Sequence, residues 1–552
     1  MSDSAERSVE TKGGGFVGHA RVVAGLTLLS RLTGLVRDAV LAATLGAGTV
    51  SNAFLLAFMV PNLFRRLFGE GALSAAFVPI YSEAREEGGA AASAFARRVV
   101  ARLAWLLGGV AVVGTAALGG AWWAVSEGGG SEQARLAAGY AAWLLPYMPM
   151  VCVVAVLGAV LQVAGRFGPA AAAPLLLNGG MVAAAGLAWA MGQRGEATVA
   201  AWLVGGVLVA GAFQLGWLGW CARGVWRGDS ADEAAIESGA ARERRMLGQM
   251  VPMAIGLAAF QINAVMDGLI AWVLSPGAEG GGVIPWFGLW EAAYPIEHEA
   301  FTWLTFAQRL YQFPLGVLGL AVATAIFPAL SRAAVGMKAG EPGEYLETLR
   351  KGLRLSVFIG LPAAAGLMVV SEPAARVLFE RGRFGADDTA AVGWLVVGYA
   401  SGVWAYATSH VLSRAWYAMG EAWVPMRVTL AMTAINFAMN LVLVWPLGAA
   451  GLAWSTAITA ALQVGVMVVL LRRRVGGVVD ATVWGSWAWS LMGAAGVAAV
   501  AGGVRWAMGG GGWWWSAGVL AACVVAGAGV YAGVMLAGRR AELRWVVSRA
   551  GV

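Results

Sequence analysis

The sequence predicts an all-α integral membrane protein with about fourteen transmembrane helices. Three observations lead to this fold class: 59% of the 552 residues are hydrophobic, only 12% are charged, and the mean hydropathy is +0.70. A soluble domain is about 45–50% apolar and about 25% charged, so most of this protein's surface has to face lipid. The 79 glycines and 27 tryptophans agree, because glycine permits close helix packing in a bilayer and tryptophan favours its interfaces.

Apolar runs that can cross about 30 Å of hydrocarbon, which takes about 20 residues, occur in two groups of six and a final pair. The first group lies at 21–46, 51–82, 96–126, 136–164, 169–192 and 197–222. The second group lies at 246–275, 300–333, 347–371, 388–418, 422–446 and 449–473, and the pair at 481–507 and 513–538.

The distribution of basic residues predicts the orientation of these spans. With a cytoplasmic N-terminus, 27 of the 38 lysines and arginines lie on the inner side or flank it, and six lie outside. Such an excess is typical of cytoplasmic loops, and a missed span would scramble it. Both termini are therefore predicted to be cytoplasmic. The spread of charge over many short loops also argues against a nucleic-acid partner.

A short internal echo predicts two related halves. The segments Ala76–Ala84 and Ala325–Ala333 end the second and eighth predicted spans, and they share alanine, proline, serine and alanine at the same offsets. Parallel repeats of this kind occur in transporters. The predicted regions are a tail at 1–19, an N-lobe at 20–222, a linker at 223–245, a C-lobe at 246–473 with an outer insert at 276–299, a helix pair at 474–538 and a tail at 539–552.

Charged residues within the predicted spans are candidates for function, because a charge at mid-bilayer costs about 2.5–3.5 kcal/mol. They are Arg31, Arg37, Asp38, Arg65, Arg66, Glu70, Asp267 and Arg309. Paired charges that join helices, or snorkelling side chains, are an alternative for Arg66, Asp38 and Glu70. Five cations against three carboxylates nevertheless leave an excess of positive charge.

Guanidinium groups suit a phosphate or diphosphate, since each offers a bidentate donor fork and stays protonated. We expect Arg31, Arg37, Arg65 and Arg309 to line a common cavity. Both helices that carry the later arginines contain helix breakers, as expected of binding sites in transporters. The breakers are Pro61, Gly69 and Gly71 in the second span and Pro314, Gly316 and Gly319 in the eighth.

A second group of polar residues centres on Asp267 in the seventh span. Asn436 and Asn440 share one face of the eleventh span, and Thr456 lies in the twelfth. One carboxylate with amide and hydroxyl oxygens could hold a sodium ion or relay a proton. Interhelical hydrogen bonding by Asn and Thr is the alternative. The sequence contains none of the common hydrolase, metalloprotease or phosphate-loop motifs, so an enzyme is not expected.

Two long segments carry a family resemblance. The run Leu29–Asp38, with Arg31 and Arg37, is followed by Ala57–Pro79, with Pro61, Asn62, Arg65, Arg66 and Glu70. Together with Arg166-Phe167, Pro174, Asn178, Gln308–Gly319 and Tyr417–Gly420, these segments resemble the MurJ/MviN family of lipid II flippases in the MOP exporter superfamily. The resemblance covers residues 20–475, and beyond them only hydrophobicity matches.

The resemblance implies two six-helix lobes around a cationic cavity lined by helices 1, 2, 7 and 8, with helices 13 and 14 forming a groove for a lipid tail. Arginines matching Arg31, Arg37, Arg65 and Arg309 are the family's essential cavity cations. Some members bind sodium through positions matching Asp267, Asn436, Asn440 and Thr456. This chain departs from the family at Asn52 and Asn440, where relatives carry acids, so the sodium site would have a lower charge.

The implied activity is movement of lipid II from the cytoplasmic to the periplasmic leaflet of the bacterial inner membrane by alternating access. The expected partners are lipid II, membrane lipids and cell-wall synthesis proteins, and Na+ is the one ion expected. Two alternatives stay open: export of another polyprenyl-diphosphate-linked glycan, and a non-transporting scaffold for cell-wall synthesis.

Overall fold

A computed structural model describes residues 2–66, 72–226, 233–277, 283–286, 290–316, 320–338, 341–538 and 540–549. These residues form twenty helices and one two-stranded hairpin, which confirms the predicted α-helical membrane fold. The chain divides into two compact units, Met1–Gln261 and Ile262–Val552. The division falls inside one long helix, and the predicted lobe boundaries stay a prediction.

Eight helices and most of a ninth build the first unit. They are α1 (Ser2–Leu45), α2 (Thr49–Phe64), α3 (Ala72–Glu87), α4 (Gly89–Glu127), α5 (Glu132–Leu144), α6 (Tyr147–Val163), α7 (Phe167–Ala190), α8 (Glu196–Ala222) and α9 (Glu233–Val273).

The second unit begins in α9 and continues with a hairpin and eleven helices. They are β1 (Val283–Trp286), β2 (Trp290–Ala293), α10 (Ala300–Pro314), α11 (Leu320–Lys338), α12 (Gly343–Val369), α13 (Ser371–Phe379), α14 (Ala386–Ser401), α15 (Val403–Ala418), α16 (Trp423–Leu447), α17 (Ala449–Val475), α18 (Ala481–Met508), α19 (Trp513–Ala537) and α20 (Ala541–Arg549).

Ten helices or continuous helix pairs among the described residues are long and apolar enough to cross a membrane. They coincide with ten of the fourteen predicted spans. The other four predicted spans fall on α1, on α2 with α3, on α9 and on α10 with α11. The count of fourteen therefore stays a prediction.

The insert at 276–299 contains the hairpin, which the sequence analysis did not predict. Strands β1 and β2 are antiparallel, with Val283 opposite Ala293 and Trp286 opposite Trp290. Valine, isoleucine and tryptophan fit a pleated, half-exposed surface. The two short strands are separated by three residues, and their backbone N–H and C=O groups hydrogen-bond to each other. In an extended loop the same backbone groups would lack these partners.

Glycines allow α7 and α8 to pack closely. A Cβ atom added to Gly206 would lie 3.0 Å from the carbonyl oxygen of Gly180, and one added to Gly180 would lie 2.7 Å from Cβ of Ala210. Any side chain at either glycine would force the helices apart. Small residues at such contacts provide the packing that holds helices together in lipid.

Ion pairs connect the N-terminal part of α9 to α3 and α4 within the first unit. Glu243 is 2% exposed and accepts hydrogen bonds from Nε of Arg98 at 2.9 Å and Nη1 of Arg102 at 3.0 Å. Two further pairs join α9 to α3: Arg242 with Glu87, and Arg245 with Glu83. From residue 233 onward, the segment predicted as a linker is thus a helix docked on α3 and α4.

We predict that Glu243→Gln lowers the free energy of unfolding by about 1–3 kcal/mol, because both guanidiniums lose their shared buried carboxylate. Thermal or denaturant unfolding in detergent would measure the loss. The control is Glu83→Gln, whose side chain and partner are about half exposed, so that it should cost less than about 1 kcal/mol. Equal losses from the two variants would contradict this ranking.

Candidate functional site

A hydrogen-bonded network fixes Arg37 on α1. Its guanidinium donates from Nε and Nη2 to Oδ1 of Asp38, at 2.9 and 2.6 Å, and from Nη1 to Oδ1 of Asn178 on α7, at 3.0 Å. Asp38 and Asn178 are both buried. Charge-assisted bonds are strong in such surroundings, because the local dielectric constant is low. The position of the Arg37 guanidinium is therefore well defined.

Asn178 also connects α7 to the backbone of α1. Its Nδ2 atom donates to the carbonyl oxygen of Ser30 and to the hydroxyl of Thr33, each at 3.2 Å. The amide thus uses its oxygen for Arg37 and its nitrogen for α1. The sequence analysis cited Asn178 only as part of the family resemblance and did not predict this contact.

Arg65 and Arg66 lie at the end of α2, where the helix becomes π-helical. Residues 65–66 form a π-helical turn after Phe64, and the buried Pro61 lies one turn before it. The backbone N–H of Arg65 bonds to the carbonyls of Pro61 and Asn62, and its Nε donates to Oδ1 of Asn62 at 3.1 Å. Arg65 and Arg66 are both partly buried. Turns of this type are frequent at functional sites.

Tyr147, at the start of α6, is a site residue that the sequence analysis missed. It is fully buried, and it lies in the neighbourhood of Arg65 and Arg37. Within the described part of the chain its hydroxyl has no hydrogen-bond partner. A buried hydroxyl of this kind normally bonds to water or a ligand. Tyr147 therefore marks the region near Arg37 and Arg65 as a place for a polar guest.

The five predicted substrate-binding arginines are divided between the two units. Arg31, Arg37, Arg65 and Arg66 belong to the first unit, and Arg309 lies on α10 in the second. Arg31 and Arg309 are partly buried. A common cavity for these arginines stays a prediction. Glu70, which was predicted to pair with Arg66, lies outside the described residues.

The α10 helix ends in the same way as α2. It reaches Pro314 and passes into a π-helical turn at residues 315–316, where the backbone N–H of Leu315 bonds to the carbonyls of Tyr311 and Gln312. Proline lacks an N–H and disturbs the regular helical hydrogen bonds. The regular α-helix thus ends at Pro314, five residues after Arg309, and the break predicted to extend to Gly319 continues into residues outside the described ones.

The four residues of the predicted ion site come together in the second unit. Asp267 is 3% exposed, and its Oδ1 accepts a hydrogen bond from Nδ2 of Asn440 at 2.7 Å. Its Oδ2 accepts one from the hydroxyl of Thr456 at 3.4 Å. Nδ2 of Asn440 also lies 3.2 Å from Oδ1 of Asn436. We refer to these four residues as the Asp267 cluster.

Ser455 joins the Asp267 cluster, although the sequence analysis did not select it. Its hydroxyl donates to Oδ1 of Asn440 and lies 3.4 Å from Nδ2 of Asn436. Gly448 is the single residue between α16 and α17, with φ at +56°. This tight turn brings the asparagines of α16 next to Ser455 and Thr456 of α17. Glycine adopts such a conformation without steric cost.

Tyrosines link the Asp267 cluster to α10. The hydroxyl of Tyr406 donates to the carbonyl oxygen of Thr456 at 3.2 Å. The ring of Tyr311 on α10 lies 6.0 Å from that of Tyr406 and 4.8 Å from that of Tyr399. The Tyr399 hydroxyl accepts a hydrogen bond from Gln308 at 3.2 Å. A continuous packed path thus runs from Thr456 to the residue that precedes Arg309.

The helical fold, the interrupted helices and the buried charged groups define a polytopic membrane transporter. Solved structures share this fold. A lipid II flippase MurJ in an inward closed conformation matches with a TM-score of 0.71 and 19% identity, over 94% of this chain and 98% of the other. An inward-facing multidrug resistance MATE transporter of the MOP superfamily matches with a TM-score of 0.62 and 14% identity, over 83% and 98%.

Sequence comparisons identify one family within this class of membrane transporters. The family model for lipid II flippase MurJ matches residues 41–523. A probable lipid II flippase MurJ of Vibrio cholerae is 31% identical over 81% of each chain. One from Rhizobium meliloti is 33% identical over 78% of this chain and 76% of its own, and the lipid II flippase MurJ of Burkholderia cenocepacia is 30% identical over 82% and 83%. The chain belongs to the MurJ family of lipid II flippases.

We predict that Asn178→Leu destabilises the first unit by about 1–3 kcal/mol, because Arg37 loses one acceptor and Thr33 and Ser30 lose one donor. Leucine has a similar size, so the loss reports hydrogen bonds more than packing. Unfolding in detergent would measure it against Gln193→Leu, an exposed amide in the loop after α7. An unchanged unfolding midpoint in Asn178→Leu would show that the network does not hold α1 to α7.

Proposed function

We propose that this protein carries lipid II from the inner to the outer leaflet of the bacterial inner membrane, with both termini in the cytoplasm. Membership in a flippase family makes the chain a transporter and not an enzyme. The observation that supports the substrate class best is the fixed, partly buried guanidinium of Arg37 beside Asp38 and Asn178. A cation kept at this depth suits an anionic ligand.

The diphosphate of lipid II is the group that the arginines would bind. Planar guanidiniums pair with phosphate oxygens through two parallel hydrogen bonds. Arg37 keeps its geometry through Asp38 and Asn178, and Arg65 is oriented by Asn62. Tyr147 could donate its free hydroxyl to the same ligand. In this proposal the sugars and peptide occupy an aqueous cavity, and the prenyl chain stays in lipid.

The membrane potential would assist this direction of transport. With the cell interior negative, moving an anionic charge outward is favoured by about 2.3 kcal/mol per charge per 100 mV. Arginines that move with the diphosphate would cancel part of this gain. Release of the diphosphate at the outer side would then need water, or a change in helix position, to weaken its contact with the arginines.

The wild-type chain should restore surface-exposed lipid II in a bacterial cell depleted of its own lipid II flippase. Arg37→Ala and Arg309→Ala should each lower the rescue about tenfold or more, which corresponds to losing about 1.4 kcal/mol of binding. Arg223→Ala, an exposed arginine after α8, is the matched control and should rescue normally.

Failure of a well-expressed wild-type chain would overturn the lipid II assignment in favour of another glycan carrier or a scaffold. Normal rescue by both arginine variants would leave lipid II transport standing but remove the phosphate-binding role of Arg37 and Arg309. Protein levels in the membrane fraction must be equal in all strains.

We further propose that the Asp267 cluster binds a coupling Na+. Its donor set fits such an ion, since one carboxylate and neutral amide and hydroxyl oxygens are the ligands that hard cations prefer. Asp267, Asn436, Asn440 and Thr456 would hold it, with Ser455 beside them. Bound Na+ would neutralise the buried carboxylate, which otherwise bonds only to neutral donors among its described contacts.

Asp267→Asn should abolish any sodium dependence of transport while retaining the fold, because asparagine keeps the shape and an acceptor oxygen but carries no charge. Transport in vesicles with and without a sodium gradient would measure the effect. Thr433→Val, a threonine on α16 that bonds to its own helix, is the control. A sodium dependence that survives unchanged in Asp267→Asn would place the coupling ion elsewhere.

A further inference from the structure

A cavity of about 390 Å³ lies beside the C-terminal helix pair, and its lining contains none of the arginines or ion-site residues of the proposed transport path. Its walls come from Glu372 and Arg376 on α13, Gly502 and Arg505 on α18, and Val519 on α19. All of these elements belong to the second unit. The lining combines charged and apolar residues.

Charged groups of both signs alternate at one wall. Glu372 accepts hydrogen bonds from Arg505 and, at 3.2 Å, from Arg376. Arg376 also donates to Glu380 at 2.9 Å. The four side chains are 21–39% exposed, so that a ligand can reach them. Two cations and two anions balance, and a purely anionic ligand would meet the carboxylates as well as the guanidiniums.

The rest of the lining is mostly apolar or small. It includes Pro373, Gly502, Trp506 and Val519, and Val519 is buried in an apolar cluster with Val370, Ala501 and Cys523. Charged groups next to such an apolar lining match the junction between the headgroup and the hydrocarbon of a phospholipid. A soluble polar metabolite would leave the apolar part of the lining without a partner. A lipid tail alone would leave the charged groups without one.

Aromatic residues place the cavity at the depth of a bilayer interface. Trp506 lies in its wall and is 87% exposed, and Trp514 at the start of α19 is 83% exposed. The guanidinium of Arg381 lies 5.5 Å from the ring of Trp513. Tryptophan concentrates at the headgroup level. The distribution of arginines along the sequence predicts that Arg376, Arg381 and Arg505 are on the outer side.

We propose that this cavity binds the headgroup of a zwitterionic glycerophospholipid from the outer leaflet. Arg505 and Arg376 would bind its phosphate, and Glu372 would bind its ammonium group. The glycerol and first methylenes would cover Val519 and the glycines of the lining. The balanced charges favour an ethanolamine headgroup over an anionic one, because an anionic headgroup leaves the carboxylate of Glu372 without a cationic group to meet. The bound phospholipid is distinct from the transported lipid, whose tail the family resemblance also places at helices 13 and 14.

Two neighbouring glycines offer a matched test. Gly502 lines the cavity, whereas Gly503 is exposed, and a Cβ at either position would have open space. Gly502→Leu should occupy part of the cavity and obstruct the headgroup without removing a charge, and Gly503→Leu adds the same side chain outside it. Arg505→Gln removes one phosphate-binding group, and Gly502→Leu keeps the test valid if Arg505→Gln fails to fold.

Native mass spectrometry of the full chain in detergent would measure retention of added phosphatidylethanolamine and phosphatidylglycerol. The wild type and Gly503→Leu should retain one phosphatidylethanolamine, about tenfold more than phosphatidylglycerol, while Gly502→Leu and Arg505→Gln lose this excess. Equal retention by Gly502→Leu and wild type would overturn the site. Stronger retention of phosphatidylglycerol would overturn the zwitterionic assignment, and displacement by inorganic phosphate would identify a free-anion site instead.

Discussion

Charge buried in a low-dielectric environment is the constraint on which the functional regions of this molecule depend. A charged side chain at mid-bilayer costs about 2.5–3.5 kcal/mol, and it persists only where partners, water or a ligand compensate for that cost. Arg37 has Asp38 and Asn178, and Asp267 has Asn440 and Thr456. In both places an asparagine from a distant helix completes the network. The hydrogen bonds that compensate each buried charge therefore also hold the helices together.

The broken helices follow from this constraint as well. Both α2 and α10 contain a proline near their C-terminal end and pass into a π-helical turn, close to Arg65 in one unit and Arg309 in the other. Freed backbone groups at membrane depth are tolerated where they are buried in protein or line a water-filled cavity. Arginine and an interrupted backbone both require a polar environment, so they occur together in each unit.

Much of the fold and part of the site could be predicted from the sequence. Long apolar runs predict membrane helices because lipid leaves few alternatives, and intramembrane charges are conspicuous against them. The grouping of Asp267, Asn436, Asn440 and Thr456 was predicted from polar residues within the spans, and the structure brings these side chains together, while their binding of an ion stays a prediction. The contact of Asn178 was not predicted, because it joins helices far apart in sequence. The roles of Ser455 and Tyr147 were not predicted, because neutral side chains of these types also occur in ordinary helix packing. The hairpin was missed because four-residue strands carry little pattern.

The link between Asn178 and α1 has a consequence for the energetics of ligand binding. A free arginine side chain loses about 2 kcal/mol of rotamer entropy when it becomes ordered, but Arg37 is already ordered by Asp38 and Asn178. In the proposed function, an arriving anion would meet a preorganised cation and bear little of that cost. The same hydrogen bonds would keep Arg37 from swinging away to let the anion leave. Departure would then require α1 and α7 to move together, so that the backbone and not the side chain would be the moving part of this contact.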